Sequence, residues 1–397
     1  MIPPRNVVVL FLAQVIFLTG TVTLVTLGGI VGSQIAPDPA LATLPLSLMV
    51  VGTAAGTVPA ALLMQRIGRR AAFLGAAAMG FVGAVIAGTG LGASSFTAFT
   101  AGATLVGVTL AFSAQFRFAA AESVPPDRVG WAVSIILVGS IGGAILGPEI
   151  VARSPGFDPE HPYQGAMFAL AACYVVGGAV LLGFRNVAAS RAEDEALPPR
   201  PLPTVVTQPR FLIAMAAAVV GQGAMVFVMT ATPLSMHVVD GYSIEDTARV
   251  VQAHVVAMYL PSLVSAPLLA RLGTTRLMAV GALTMGATVA IGLAGREIMH
   301  YWWGMVLLGV GWNFLFIGGT TQLVTTYRAS ERFRAQAVND FGVFGMSAVA
   351  SLLAGTLLHT FGWVVVLWTV VPPLAAMLFL AVLSQRWAAG PRHRLTP

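Results

Sequence analysis

Residues 7–31 read VVVLFLAQVIFLTGTVTLVTLGGIV, a stretch without a single charged side chain. A helix rises about 1.5 Å per residue, so about 20 apolar residues cross the hydrocarbon core of a bilayer. The stretch is too long for the apolar core of a signal peptide, and no small-residue cleavage site stands out near it. We therefore expect it to be retained as the first membrane-spanning helix.

Similar apolar runs recur along all 397 residues, of which 57% are apolar and 9% charged, with a mean hydropathy of +0.85. This pattern predicts an all-α membrane protein with twelve transmembrane helices in two pseudo-symmetric six-helix bundles. The single cysteine, Cys173, excludes an intramolecular disulfide and a multi-cysteine metal cage. The predicted spans are 6–31, 40–64, 71–91, 95–119, 129–152, 164–184, 209–239, 247–270, 276–295, 301–326, 337–360 and 362–384.

All 21 basic residues are arginines, and they are distributed unevenly between the predicted loops. If both termini lie in the cytoplasm, every arginine except Arg153, Arg249 and Arg296 falls on the cytoplasmic side. By the positive-inside rule this predicts a multi-pass protein of the bacterial cytoplasmic (inner) membrane with both termini cytoplasmic. The sequence pI of about 10.2 therefore reflects loop arginines, and we expect no nucleic-acid partner.

The longest polar stretch divides the predicted spans six and six. It predicts an N-terminal six-helix bundle at 1–184, a cytoplasmic linker at 185–208, and a C-terminal six-helix bundle with a short cytoplasmic tail at 209–397. The two halves look related, because LMQRIGRR at 63–70 follows the second span and LARLGTTR at 269–276 follows the eighth, an offset of about 205 residues. We expect a parallel internal repeat.

Two pairs of soft metal donors occur at helical spacing in consecutive spans. Met225 and Met229 lie in the seventh span, and His254 and Met258 lie in the eighth. A spacing of four places both members of a pair on one helix face, and the two pairs overlap in predicted depth. Thioether and imidazole donors suit Cu(I), so the four predict a metal site. In the alternative interpretation the methionines only pack and His254 makes an interhelical hydrogen bond.

Neighbouring residues extend this hypothesis. Pro233 and Pro261 should kink the seventh and eighth spans beside the proposed site. Met236 and His237, at the outer end of the seventh span, form a candidate first landing site for the metal. Met49 corresponds to His254 by the repeat offset and is a candidate soft donor in the first half.

Polar side chains in the tenth and eleventh spans are candidates for lining or gating the pathway. These are Asn313 and Asp340, with Asn339 beside the latter. In the alternative interpretation the amides join helices, and Asp340 pairs with Arg332 or Arg334 near the cytoplasm.

The segment Arg66-Ile-Gly68-Arg69-Arg70 resembles the end of the loop between helices two and three of the major facilitator superfamily. Gln65 stands where that family usually has an acidic residue. The resemblance covers essentially the whole chain. It implies that Gly68, Arg69 and Arg70 belong to a conformational-switch loop that latches the cytoplasmic faces of the halves, weakened here by the missing carboxylate, although the arginines could pair with helix ends.

The two donor pairs on this frame, with GVGWNFLFIGGTT at 309–321 and AVNDF at 337–341, are similar to the CcoA-type copper importers of bacteria. This resemblance implies uptake of copper by alternating access, supplying assembly of the cbb-type cytochrome c oxidase. It makes Met225, Met229, His254 and Met258 the ligands of a copper ion or small copper complex. Copper is then the transported substrate, with no bound catalytic cofactor. We expect a monomer in the lipid bilayer, with a copper chaperone as a further partner.

A second interpretation is a proton-coupled exporter of small organic compounds, the commonest activity on this frame. Such an exporter usually needs a protonatable acid deep in the bundle, and six of the candidate spans have none near mid-membrane. A membrane-bound sensor or catalyst is a weaker interpretation. The chain has no Ser/His/Asp arrangement, phosphate loop or sizeable soluble domain, so we do not expect an enzyme.

Overall fold

The computed structural model describes residues 4–38, 41, 44–154, 163–186 and 198–389, and within these ranges it contains helices but no strand. Short 3₁₀ segments occur at Pro126–Arg128 and Ala329–Glu331. The α-helices are α1 Arg5–Ile35, α2 Leu44–Gly92, α3 Phe96–Ser113, α4 Phe116–Glu122, α5 Val129–Arg153, α6 Gln164–Leu181, α7 Leu202–Val206, α8 Pro209–Pro233, α9 Ile244–Tyr259, α10 Ser262–Ala294, α11 Ile298–Leu323 and α12 Arg332–Ala389.

Nine helical segments among the described residues are long and apolar enough to cross a membrane, whereas the sequence predicts twelve spans. The difference arises because α2 and α12 each contain two predicted spans, and because the eighth predicted span is divided between the short α9 and the start of α10. Helices α2, α10 and α12 each continue through a turn between two predicted spans. Glycine interrupts the helical backbone at each turn, with φ of 82° at Gly68, 76° at Gly273 and 79° at Gly362. Only glycine adopts such φ values without strain. Gly68 and Gly273 share this conformation at the offset of the expected repeat.

Pro233 and Pro261 lie at the ends of helical segments in the predicted seventh and eighth spans. Helix α8 ends at Pro233 and continues as a π-helix, Leu234–Val239. Helix α9 ends at Tyr259, and α10 starts immediately after Pro261. Proline has no backbone N–H to donate, which accounts for both interruptions. The helical hydrogen-bond pattern therefore changes at both prolines, while the kinks expected beside His254 and Met229 stay a prediction.

The chain forms two compact units. Unit 1 contains Met1–Thr207 and Val324–Val349, and unit 2 contains Gln208–Leu323 and Ala350–Pro397. Edge-on aromatic contacts fill the core of unit 1, where the ring centroids of Phe17 and Phe116 lie 5.2 Å apart and those of Phe73 and Phe116 lie 4.8 Å apart.

Residues 324–349 group with unit 1, although the sequence division places them in the second half. Side-chain bonds also join these residues to unit 1: Arg200 donates to Glu331 at 2.6 Å and Arg69 donates to Gln336 at 2.8 Å. The division of the chain into two six-helix bundles around a linker at 185–208 stays a prediction.

Candidate functional site

Helix α11 is the most enclosed long helix of unit 2, and both α8 and α9 pack against it. Small residues permit this close approach. A Cβ atom on Gly309 would lie 2.8 Å from the His254 carbonyl oxygen and 2.8 Å from the Met258 backbone nitrogen. A Cβ on Gly319 would lie 2.8 Å from the Ala214 carbonyl oxygen. By contrast, α8 and α9 share few contacts with each other.

His254 is fully buried and bonded to α11. Its Nδ1 lies 2.8 Å from the carbonyl oxygen of Met305. A carbonyl can only accept, so Nδ1 carries the proton, and the ring in its neutral form presents a lone pair at Nε2. Nε2 is buried and has no hydrogen-bond partner within the described chain. The structure thus contains the interhelical bond of the alternative interpretation and leaves one ring nitrogen available as an acceptor.

The other predicted metal ligands differ in burial. Met225 and Met258 are buried, at 3% and 7% exposed, whereas Met229 is half-buried. In the part of the chain that the structure describes, no three His, Cys, Asp or Glu side chains form a metal-binding group. Convergence of the three thioethers and the His254 imidazole on one ion stays a prediction.

The accessory metal residues lie in dissimilar surroundings. Met236 is fully buried, whereas His237 is exposed and its Nδ1 lies 2.8 Å from the Tyr242 carbonyl oxygen. Met49 is buried in α2 of unit 1. Cooperation of Met236 with His237, and a metal role for Met49, stay predictions.

The side-chain amide of Asn313 in α11 forms hydrogen bonds to three residues of α9 and α10. Its Nδ2 donates to the Met258 carbonyl oxygen and to Ser262 Oγ, both at 2.7 Å, and its Oδ1 accepts from Ser265 Oγ at 2.9 Å. The side chain is fully buried. This geometry is the interhelical contact that sequence analysis gave as the alternative to a pathway role.

A cluster of aromatic rings and one amide occupies the middle of unit 2. The indole Nε1 of Trp312 donates to Gln222 Oε1 at 2.7 Å, which joins α11 to α8. Phe316 stacks on Trp312 at a centroid distance of 4.9 Å and an interplanar angle of 21°. Tyr259 of α9 meets Trp312 edge-on at 5.8 Å. Sequence analysis did not single out these residues. Gln222 could have been identified as a candidate, because it is a polar amide within an apolar span.

Asp340 lies in unit 1 and is paired with a different arginine from those predicted. Its Oδ1 forms an ion pair with Arg117 of α4 and accepts from Asn339 Nδ2 at 2.9 Å, and its Oδ2 accepts from Gln115 Nε2 at 2.7 Å. The predicted pairing with Arg332 or Arg334 is therefore wrong. Arg332 begins α12 two helical turns before Asp340, about 12 Å away along the axis, and pairs with Glu122 at 3.5 Å.

The predicted switch loop has a defined set of partners in unit 1. Gly68 provides the turn, and the buried Arg69 pairs with Glu122 of α4 at 2.7 Å. Arg70 donates to the carbonyl oxygen of Leu182, at the C-terminal end of α6, at 2.9 Å. A carboxylate from α4 thus meets Arg69 although Gln65 carries none, and the expected pairing of an arginine with a helix end is present at Arg70.

Comparisons with known proteins agree with this fold. Residues 10–261 match the family Major Facilitator Superfamily. The chain is 36% identical over 381 residues to the riboflavin transporter RfnT of Brucella anthropi, covering 96% of this chain and 95% of that protein. It is 27% identical to the uncharacterized transporter YdeG of Bacillus subtilis, covering 88% and 85% of the two chains.

Solved structures resemble the chain in fold. A crystal structure of the transporter FucP in its outward conformation aligns with a TM-score of 0.69 and 15% identity, covering 94% of this chain and 97% of that one. The human organic anion transporter TETRAN aligns with a TM-score of 0.73 and 14% identity, covering 95% and 99%. These matches concern the arrangement of helices only.

Proposed function

The chain belongs to the Major Facilitator Superfamily, whose members are transporters and not enzymes, and from that premise we propose that it transports riboflavin or a related flavin. The observation that carries the proposal is the 36% identity to a riboflavin transporter over 96% of the chain, which extends across both units. The name of that relative gives the predicted copper substrate no support.

The chemistry in the middle of unit 2 is compatible with a flavin. A flavin has a planar heteroaromatic ring with carbonyl groups along one edge. Aromatic faces bind such rings by stacking, and an amide can bond to the carbonyls. Tyr259 and Gln222 supply these groups, and both contact the buried Trp312.

We further propose the bacterial cytoplasmic membrane as the location, with both termini in the cytoplasm. The arginine distribution supports this orientation, because only Arg153, Arg249 and Arg296 fall on the opposite side. Alternating access of the two units would then carry the substrate across the membrane.

Uptake of labelled riboflavin tests the proposal. The gene would be expressed in a bacterial strain that neither makes nor imports riboflavin, with the empty vector as the reference. We expect growth at low external riboflavin, and uptake that unlabelled riboflavin inhibits and copper does not. An exporter would instead lower the accumulation of flavin. Uptake equal to that of the empty vector, at verified expression in the membrane, would contradict flavin import.

Copper import remains a second candidate because of one observation at His254. Histidines that bind metals usually donate their other ring N–H to a carbonyl or carboxylate, and His254 Nδ1 has this bond to Met305. Its unpartnered Nε2 lies on the same helix as the buried Met258. If copper is the cargo, the product of transport is copper for assembly of the cbb-type oxidase.

Copper accumulation at matched expression tests the second candidate. We expect His254→Leu and Met229→Leu to abolish uptake if the four-ligand site exists. Met299→Leu is the matched control, because Met299 is 53% exposed. Full copper uptake by both site variants would exclude this site.

A further inference from the structure

The bond between Trp312 and Gln222 determines how the Gln222 amide is oriented. An indole nitrogen can only donate, so its partner at 2.7 Å must be the amide oxygen. The Nε2 group of Gln222 is therefore turned away from Trp312. In the described residues Gln222 makes no second side-chain hydrogen bond. Two N–H donors are available at this position.

The four residues of the cluster differ in how much of each side chain is exposed. Trp312 and Phe316 are almost inaccessible, at 4% and 6% exposed. Gln222 and Tyr259 both contact Trp312 and are only half-buried, so they form the accessible layer of the cluster. Gln222 lies about 20 Å along α8 and Trp312 about 21 Å along α11, at 1.5 Å per residue, which places both near mid-membrane.

The chemistry of this layer selects a class of ligand. Amide N–H groups bond to acceptors and repel cations, so the layer suits a carbonyl oxygen and not a metal ion. The Tyr259 ring, which contacts the same indole as the amide, supplies an apolar face for a planar ring. A flat heteroaromatic molecule with ring carbonyls, such as the isoalloxazine of a flavin, combines both features.

We infer that Gln222 Nε2 and the Tyr259 ring contact the carbonyl edge and the face of a flavin ring, and that Trp312 acts as a positioning residue for both. This inference rests on the proposed function. Trp312 holds the amide through its indole N–H and limits the movement of the Tyr259 ring by the edge contact. The buried Phe316 stacks on Trp312.

Binding of riboflavin to the purified full-length protein in detergent tests the inference. The dissociation constant is measured by titration of flavin fluorescence, and the ring carbonyl stretch of bound riboflavin by vibrational spectroscopy. Gln222→Met keeps the side-chain length and removes the donors, and we expect its Kd to rise about tenfold. The carbonyl stretch should shift to the frequency of a flavin without that hydrogen bond.

Trp312→Phe tests the positioning role, with Trp303→Phe as the matched control. Both substitutions keep a ring, but Trp303 is 48% exposed and lies outside the cluster. We expect Trp312→Phe to weaken binding several-fold and broaden the carbonyl band, and Trp303→Phe to bind like the wild type. A folded Gln222→Met protein with wild-type Kd and carbonyl frequency would overturn the assignment of Gln222. Absence of riboflavin binding by the wild type would instead contradict the proposed function itself.

Discussion

The network around Asp340 in unit 1 is built on a buried ion pair, whereas Asn313 and Gln222 in unit 2 are neutral amides, and Gln222 and His254 are only partly used. In unit 1 the Asp340 carboxylate receives bonds from Arg117, Gln115 and Asn339. In unit 2, His254 Nε2 has no partner among the residues that the structure describes, and within the same residues Gln222 uses only its oxygen. Paired charges hold helices together, while an unused donor or acceptor is available to a ligand.

The largest effect should follow from breaking the charged pair of unit 1. Asp340→Leu leaves Arg117 buried without its counter-ion, since both side chains are at most 5% exposed. We expect a loss of about 3–5 kcal/mol in the free energy of unfolding, measured by denaturant titration in detergent micelles. The double variant Arg117→Leu/Asp340→Leu removes both charges and should recover most of that loss. A single variant as stable as the double would show that the pair is not the source of the stability.

An intermediate effect should come from the turn glycines, which occur in both units. Alanine at Gly68 or Gly273 meets a backbone conformation with φ near +80° and extended ψ, which costs about 1–3 kcal/mol. Gly68→Ala should cost more, because its Cβ would lie 2.8 Å from Asn186 Nδ2, whereas nothing lies within 4 Å at Gly273. Thermal unfolding of the two variants side by side measures the difference. Equal unfolding midpoints for the two variants would show that the contact with Asn186 does not add to the cost of alanine at Gly68.

The smallest effect should follow from breaking the neutral network of unit 2. Asn313→Leu removes three hydrogen bonds between α11 and its neighbours. Interhelical hydrogen bonds in membranes contribute little each, so we expect a loss of about 1 kcal/mol by the same denaturant titration. A decrease in the free energy of unfolding as large as that of Asp340→Leu would show that the neutral network stabilises the fold as much as the charged one.

Most of the fold could be predicted from the sequence, because bilayer thickness dictates the length of an apolar span and arginine marks the loops. The changes of helical hydrogen bonding at Pro233 and Pro261 could also be predicted, because proline has no backbone N–H to donate. The continuity of α2 through Gly68 was missed, since the turn depends on a single left-handed residue and not on a polar loop.

The side-chain partners could not be predicted, because they join residues distant in sequence. Asp340 bonds to Arg117 across 223 positions, and Trp312 bonds to Gln222 across 90. Periodicity places a residue on a helix face but does not say which helix it faces. His254 was singled out correctly as a buried polar residue, yet its Met305 partner is a backbone carbonyl that carries no sequence signal.

The half-buried Cys173 of α6 has an experimental consequence. It is the single thiol in the sequence, so one substitution, Cys173→Ala, yields a background for site-directed labelling. Two new cysteines, one in each unit, would then carry spin labels whose separation can be followed as riboflavin or copper is added. A distance distribution that responds to one compound and not to the other would report the cargo through the motion of the protein.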